Sequence, residues 1–377
     1  MTAAIAASTI SRWPPPSPDG APGSGIAILV NANAKRGGRR VAVQIAQRLR
    51  GATVRLTKTP REIDAWLQML PKPRVVLAAG GDGTAVALLN ALLRAMRDID
   101  GFPTVGVLPL GTGNGWANAL GAPKLHTCLD LLARAPTTLP TRRSGLVEVD
   151  GMLAHFAGTG WDAMIVDDYK RQLHASKGPG RRFSKSVYGY VSAALLRTAP
   201  KVAVVGNPHV VIENLGDEVF AVAPDGKLQR LCDGVRGTIL FSGQAGIASV
   251  GACPEFGYKF RAFPFAERLP GFMNVRAYEG GPFDALASVA RLWRGAHPVP
   301  GMHDWLAHHV RMTFSCPVPL QIGGDAHGWR RTVEFRAADR CVQMLDWRRL
   351  RCERYVRYLG RLLRRELPSR SSLAPSG

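Results

Sequence analysis

Two short apolar segments, each followed by a glycine-rich loop, constrain the fold of this chain more than any other feature. The first segment, residues 75–79, leads into Gly-Gly-Asp-Gly-Thr at 80–84. About twenty residues of helix-like sequence follow, and residues 105–110 then lead into Gly-Thr-Gly-Asn-Gly-Trp at 111–116. Such apolar runs are typical of buried parallel strands, and a helix between two of them makes a βαβ unit. We therefore expect an open α/β sheet in which both loops border one crevice at the carboxyl ends of the strands.

The composition of the first loop predicts a phosphate-binding site. Glycine lets backbone N–H groups approach a ligand closely, and the helix that follows directs the positive end of its dipole to the same place. The carboxylate of Asp82 would repel a phosphate, so it is expected to act through Mg²⁺ or to position a donor. A tight turn capped by this aspartate explains a single loop equally well. The second glycine loop favours the phosphate site.

A third loop of the same kind follows the first predicted strand. Residues 26–30 are apolar, residues 31–38 form a basic loop that contains glycine, and the segment after it carries Val41, Ile45 and Leu49 at helical spacing. This arrangement again predicts a strand, a phosphate loop and a helix. A basic surface turn would have the same sequence.

The two glycine motifs resemble those of the catalytic domain of the diacylglycerol kinase and sphingosine kinase family of lipid kinases. The first motif also occurs in NAD kinases, whereas the second, continued as Asn-Gly-Trp-Ala-Asn-Ala-Leu-Gly at 114–121, is more particular to the lipid kinases. The similarity extends, with varying strength, from about residue 26 to residue 335. It implies an α/β fold with an N-terminal Rossmann-like nucleotide-binding domain and a mainly β, sandwich-like domain after it. It also implies ATP and Mg²⁺ as cofactors.

The resemblance implies roles for individual residues. Asp82 is implied as a catalytic residue and a Mg²⁺ ligand, Asp162 as a contact for the polar head of the lipid, and Asp325 as the base that accepts the proton of the acceptor hydroxyl. Helix-capping roles explain Thr59 and Asp162 at least as well. The residues implied in nucleotide binding are Asn31, Thr59, Gly80, Gly81, Asp82, Gly83, Thr84, Gly111, Thr112 and Asn114.

The chain departs from the family pattern in several places. Ala32 stands where the first loop of the family has proline, and residues 85–87 replace its Leu-Asn-Glu, so that backbone contacts and Thr84 are left to hold the nucleotide. A family Asp-Gly-Glu is replaced by Gly-Gly-Asp at 323–325, which keeps one carboxylate and loses its companion. The family's structural Mg²⁺ turn is replaced by residues 269–272, so that metal is not expected.

Changes in composition divide the chain into five segments. Residues 1–25 are rich in Ala, Ser, Pro and Gly and are expected to form a disordered arm. The nucleotide-binding kinase domain is predicted at 26–138, a β-rich lipid-acceptor domain at 139–345, a basic amphipathic helix at 346–367, and a disordered tail at 368–377.

The formal net charge of +21 predicts anionic partners. We expect a lipid substrate at a membrane surface and contacts with anionic lipid headgroups; no protein partner can be inferred.

The apolar stripe and arginines of residues 346–367 suit an interfacial helix, although the same stripe could pack on the protein core. No run of about eighteen apolar residues is present. The expected location is therefore the cytoplasm, in peripheral association with the inner face of the membrane.

These observations favour an ATP-dependent lipid kinase that phosphorylates the hydroxyl of a diacylglycerol-like, sphingoid or ceramide-like lipid. The alternative is a soluble small-molecule kinase of the NAD kinase type. Nucleic-acid binding is disfavoured, because basic residues are not interleaved with aromatic ones and no binding module is recognisable. A metal site at 303–309, where a helix would place Asp304 and His308 on one face, is disfavoured because no second cluster supports it.

Overall fold

The computed structural model describes residues 25–34, 38–70, 73–96, 99–135, 138–161, 163–166, 206–231 and 234–354. Three predicted features lie outside these residues. They are residues 1–24 of the arm, the lipid contact Asp162, and the terminal chain from residue 355 onward.

Strands and helices are numbered in chain order. The strands are β1 (Ile26–Asn31), β2 (Thr53–Thr57), β3 (Val75–Gly80), β4 (Thr104–Pro109), β5 (Thr141–Ser144), β6 (Val147–Val149), β7 (Met152–Ala154), β8 (Phe156–Gly160), β9 (His209–Asn214), β10 (Val219–Val222), β11 (Leu228–Arg230), β12 (Ile239–Gln244), β13 (Ile247–Gly251), β14 (Met273–Tyr278), β15 (Met302–Ala307), β16 (His309–Ile322), β17 (Asp325–Ala337) and β18 (Val342–Leu345). The α-helices are α1 (Gly38–Arg48), α2 (Pro60–Met69), α3 (Asp82–Met96), α4 (Gly115–Ala119), α5 (Leu125–Ala133), α6 (Pro282–Ala287) and α7 (Val289–Arg294), and a 3₁₀ turn spans Ile99–Gly101.

Residues 26–144, together with one later strand, form an α/β layer. Within the described residues its sheet has six strands in the order β2-β1-β3-β4-β18-β5, and neighbouring strands are parallel from β2 to β18. Every residue of β3 is buried, as are all but the last residue of β1. Central parallel strands become apolar along their whole length because helices cover both faces of such a sheet. The predicted α/β domain with its three strand–loop–helix units is confirmed.

The second sheet is mainly antiparallel. In the described part of the chain it holds twelve strands, and β9 and β12 branch from β16. Its longest hairpin is β16–β17, and a shorter one, β6–β7, turns at Asp150 and Gly151, which both have positive φ. The Asp-Gly pair is a strong hairpin signal because both turn positions require that conformation. The predicted β-rich second domain is confirmed.

Two strands that the sequence assigned to the second domain belong to the first sheet. β18 pairs with β4 in parallel, and β5 pairs with β18 antiparallel. The chain therefore returns to the first sheet after completing the second sheet. Helical structure resumes at Trp347, which is fully buried together with Leu350. The first turn of the predicted terminal helix thus packs on the core.

Residues 302–307 form a strand, so the expected helix that would bring Asp304 and His308 together is wrong. Asp304 is buried, and its two carboxylate oxygens accept hydrogen bonds from Arg276 at 2.7 and 3.0 Å. Asn274 donates a further bond to it at 2.9 Å. This carboxylate is therefore part of a buried ion pair.

Among the residues that the structure describes, no helix is both long enough and apolar enough to cross a membrane.

Candidate active site

A cleft of about 450 Å³ lies where the three predicted loops meet, at the carboxyl ends of β1, β3 and β4. Asp325, the first residue of β17, contributes to it from the second sheet. The predicted site residues that line the cleft are Asn31, Thr59, Gly81, Gly83, Thr84, Gly111, Thr112 and Asp325. The other described ones, Gly80, Asp82 and Asn114, support these loops from behind, as the following contacts show.

The loop after β1 is tied to the first glycine loop. The side-chain amide of Asn31 donates a hydrogen bond to the Thr84 hydroxyl at 2.9 Å. Gly38, which begins α1, lies so close that a Cβ there would stand 2.5 Å from the Asn31 carbonyl oxygen. The sequence prediction of a loop around Asn31 is therefore matched by a close approach of α1 to that loop.

The two glycine loops pack directly on each other. The N–H groups of Leu110 and Gly111 both donate to the Gly80 carbonyl, at 2.9 and 3.0 Å. A Cβ on Gly111 would lie 2.4 Å from the Gly81 Cα, and one on Gly80 would lie 2.2 Å from the Thr84 hydroxyl oxygen. Side chains at these positions would separate the loops. Glycine is required here by backbone proximity.

Asp82 joins the first loop to the second. Its two carboxylate oxygens accept hydrogen bonds from the backbone N–H groups of Gly115 and Trp116, each at 2.9 Å. The carboxylate thus caps the start of α4, where unpaired N–H groups favour negative charge. Burial raises the pKa of Asp82, the two backbone hydrogen bonds lower it, and the nearby charge of Asp325 adds a smaller upward contribution.

This geometry does not fit the predicted role of Asp82 as a Mg²⁺ ligand. Both of its oxygens are engaged by α4, and it is not among the residues that line the cleft. The side chain instead fixes the distance between the two glycine loops.

Asn114 and Thr59 also have structural partners. Asn114 has a φ of 50°, and its amide donates to the Gly111 carbonyl at 3.0 Å, which closes the second loop on itself. The Thr59 hydroxyl accepts from the N–H of Glu62 at 3.4 Å and caps α2, as the capping interpretation predicted. Thr59 still lines the cleft, so the cap holds its side chain at the cleft wall.

Asp325 reaches the first loop by means of a tight hairpin turn. Gly323 and Gly324, with φ of 56° and 84°, form a two-residue turn between β16 and β17. The carboxylate lies against Gly83, where a Cβ would be 2.6 Å from its Oδ2. A side chain from the second domain is therefore in contact with the N-terminus of α3. The Gly-Gly pair between two strands was a signal for this turn that the sequence interpretation did not use.

The second glycine loop is backed by a segment that the sequence did not predict. The N–H of Tyr258 donates to the Gly113 carbonyl at 2.9 Å, and a Cβ on Gly115 would lie 2.6 Å from the Phe256 carbonyl oxygen. These contacts join residues about 140 positions apart in the chain. No local pattern in the sequence could have indicated them.

A buried ring pair lies under the same loop. The rings of Trp116 and His155 stack with centroids 4.6 Å apart. His155 is fully buried, and burial lowers its pKa to about 3, so it is neutral at physiological pH. The backbone N–H that bonds to Asp82 thus belongs to a residue whose ring is fixed by this stack.

Comparison with known proteins agrees with this arrangement. Residues 25–139 match the family model described as the diacylglycerol kinase catalytic domain. This segment belongs to that family. Diacylglycerol kinase from Bacillus subtilis is 40% identical over 65 residues, which are 17% of this chain and 19% of that protein. Eye-specific diacylglycerol kinase from Drosophila melanogaster is 37% identical over 118 residues, 29% of this chain and 7% of that protein.

These matches span less than a fifth of the length of either relative. A longer likeness is structural. The crystal structure of a diacylglycerol kinase from Bacillus anthracis str. Sterne has a TM-score of 0.55 at 12% identity, over 85% of this chain and 96% of that one. The fold shared with the diacylglycerol kinase structure therefore continues beyond the family domain into the second sheet.

Proposed function

We propose that this protein is an ATP-dependent lipid kinase that transfers the γ-phosphate to the hydroxyl of a diacylglycerol-like lipid. The observation that carries the proposal is the position of Asp325. It places a carboxylate of the second sheet against Gly83, in a cleft that is also lined by the glycine loops of the segment matching the diacylglycerol kinase catalytic domain. The relatives named diacylglycerol kinase support the choice of acceptor.

The phosphates of ATP would bind at the N-terminus of α3. Gly81, Gly83 and Thr84 line the cleft there, and the start of a helix offers N–H groups and the positive end of the dipole to an anion. Asn31 holds the Thr84 hydroxyl, and Asp82 holds the second loop beside the first. Mg²⁺ would enter as part of the nucleotide substrate, where it neutralises phosphate charge.

Asp325 would accept the proton of the lipid hydroxyl. Phosphoryl transfer asks mainly for positioning, for charge stabilisation and for a base near the attacking oxygen. A carboxylate in contact with the phosphate loop lies within reach of a hydroxyl that attacks the terminal phosphate. It comes from the opposite domain, so the acceptor would bind between the two sheets.

The test is transfer of labelled phosphate from [γ-³²P]ATP to a panel of acceptors. The panel contains a short-chain diacylglycerol, ceramide, sphingosine and NAD, the last because NAD kinases share the first glycine motif. We expect labelling of diacylglycerol, dependent on Mg²⁺ and lost in Asp325→Asn. Labelling of NAD with unlabelled lipids would contradict the proposal, and so would lipid labelling that Asp325→Asn leaves unchanged.

A further inference from the structure

Helices α6 and α7 form an exposed apolar projection on the second domain. Phe283 of α6 is 80% exposed and Val289 of α7 is 46% exposed, and none of the residues of α7 is buried. Large apolar side chains exposed on consecutive helices mark an interaction surface more often than isolated ones do.

The projection has a defined structure of its own. The Asp284 side chain accepts a hydrogen bond from the Gly281 N–H at 3.0 Å, and the Ser288 N–H donates to the Asp284 carbonyl at 2.9 Å. Gly295, with a φ of 66°, ends α7 and donates to the Leu292 carbonyl at 3.0 Å. Local hydrogen bonds therefore order the backbone that carries Phe283 and Val289.

Basic side chains lie in and beside α7. Arg291 and Arg294 lie in the last turn of α7 and are exposed. Arg261 is also exposed and lies beside α7, because its N–H donates to the Trp293 carbonyl at 3.1 Å. Two helices that expose both apolar side chains and arginines suit the boundary between acyl chains and anionic headgroups in a bilayer.

A row of aromatic rings connects this projection to the second glycine loop. Neighbouring ring centroids along the row are between 4.3 and 6.1 Å apart. Its members, in order, are Trp293, Phe260, Phe256, Phe156, His155 and Trp116. The last ring belongs to α4, whose N–H groups bind Asp82. A continuous row of packed rings thus links α7 to α4, the helix that Asp82 caps.

We infer that the α6–α7 surface, defined by Phe283, Val289, Arg261, Arg291 and Arg294, docks on a phospholipid bilayer that carries anionic headgroups. Phe283 and Val289 enter the acyl boundary, and the arginines bind lipid phosphates. The docked surface holds the second domain, and with it Asp325, at the membrane from which the acceptor lipid comes. This role rests on the proposed function, whereas docking itself can be measured without catalysis.

The test compares full-length variants in sedimentation with mixed phosphatidylcholine and phosphatidylglycerol vesicles. The double variant Phe283→Ser/Val289→Ser should bind the vesicles at least roughly tenfold more weakly than the wild type, because the apolar burial of both side chains is lost. Arg291→Gln/Arg294→Gln should lose roughly fivefold per arginine at low salt. The wild-type advantage over this arginine variant should shrink in high salt, because screening acts over about 8 Å at physiological ionic strength.

The control is Met69→Ser, which removes an apolar side chain that is 71% exposed, between Val289 and Phe283 in exposure, from α2 of the first domain. It should bind vesicles like the wild type. Equal vesicle binding by wild type and by Phe283→Ser/Val289→Ser would overturn the inference. The inference would also be overturned if this variant bound vesicles normally but no longer formed a complex with another protein that the wild type binds, because the surface would then be a protein interface.

Phosphorylation of a dispersed short-chain diacylglycerol separates this inference from the proposed function. The α6–α7 variants should keep this activity, because their side chains lie outside the cleft, and should lose activity on vesicle-embedded lipid. Vesicle binding that depends on α6–α7, in a wild-type protein that phosphorylates no lipid, would uphold docking and refute the kinase proposal. Short-chain activity with vesicle binding independent of α6–α7 would do the reverse.

Discussion

His155 makes a pH-dependent contribution to stability. Burial lowers its pKa to about 3, whereas the unfolded chain binds a proton near the ordinary value of 6.5. Between these values the unfolded state binds more protons, so the free energy of unfolding falls as the pH drops below about 6.5. The loss is on the order of 2 kcal/mol between about pH 7 and about pH 5.

His155→Phe should remove this loss, because phenylalanine keeps a ring against Trp116 and carries no proton. Denaturant unfolding of both proteins at several pH values measures it. The wild type should lose stability relative to the variant as the pH falls. Parallel curves for the two proteins would mean that His155 is protonated in the folded state as easily as in the unfolded one.

Asp82 is expected to stabilise the contact between the two glycine loops. In Asp82→Asn one amide oxygen can still accept a backbone N–H, but the amide NH₂ then faces the other N–H of α4. The lost bond and the unpaired donor should cost about 1–3 kcal/mol. The loops should separate, so nucleotide affinity and turnover should both fall.

Asp64→Asn is the matched control for this variant. It removes a charge from an exposed ion pair with Arg94, at 2.7 Å, and such pairs contribute at most about 1 kcal/mol. Thermal unfolding and nucleotide titration of the two variants give the comparison. If Asp82→Asn lost turnover while stability and nucleotide affinity stayed unchanged, the carboxylate would have a chemical role that the loop contacts do not explain.

At the scale of elements, the β16–β17 turn positions the proposed base. Gly324→Ala places a side chain in open space at a φ of 84°, so only backbone strain, about 1–2 kcal/mol, should result. Gly323→Ala adds a collision, because its Cβ would lie 2.6 Å from the buried side chain of Val86.

Gly323→Ala should therefore destabilise the protein more than Gly324→Ala and should lower turnover more, since Asp325 follows this turn directly. Unfolding free energies and kcat values for the pair measure both effects. Equal losses in the two variants would show that contact with Val86 does not set the position of the turn.

The glycine loops were predictable because their signals are local. Strand, glycine and helix follow one another within about ten residues around Asp82, and residues 147–154 carry their turn signal in the sequence itself. The bonds between Asp82 and α4 cross 33 or 34 positions, and the bond from Tyr258 to Gly113 crosses 145. Residues 302–307 were misjudged because Asp304 and His308 also fit helical spacing, whereas pairing with β14 and β10 decides for a strand.

At the scale of the whole molecule, the chain closes by returning to its first sheet. β18 pairs with β4, and Trp347 and Leu350 are then buried, at 0% and 2% exposure. This burial could not be read from the sequence, because an apolar stripe beside arginines suits a membrane and a core equally well. A role for residues 355–367 at an anionic membrane remains our proposal, separate from the α6–α7 surface.

Two truncations separate the parts of this terminal segment. Truncation after Asp346 removes both buried side chains, each worth about 2–5 kcal/mol, and should leave a protein that unfolds or aggregates. Truncation after Arg354 keeps them and should give a folded protein with weaker sedimentation on anionic vesicles. Equal melting temperatures for the two truncated proteins would contradict the packing of Trp347 on the core.

The central claim is that a carboxylate of the second domain acts as a base at the nucleotide loop of the first. Single-turnover transfer of labelled γ-phosphate to a short-chain diacylglycerol, at saturating MgATP, tests it most directly in the wild type, Asp325→Asn and Asp325→Glu. We predict that Asp325→Asn binds nucleotide normally and transfers phosphate roughly 10²- to 10⁴-fold more slowly, with Asp325→Glu intermediate. Transfer by Asp325→Asn at the wild-type rate would contradict the account.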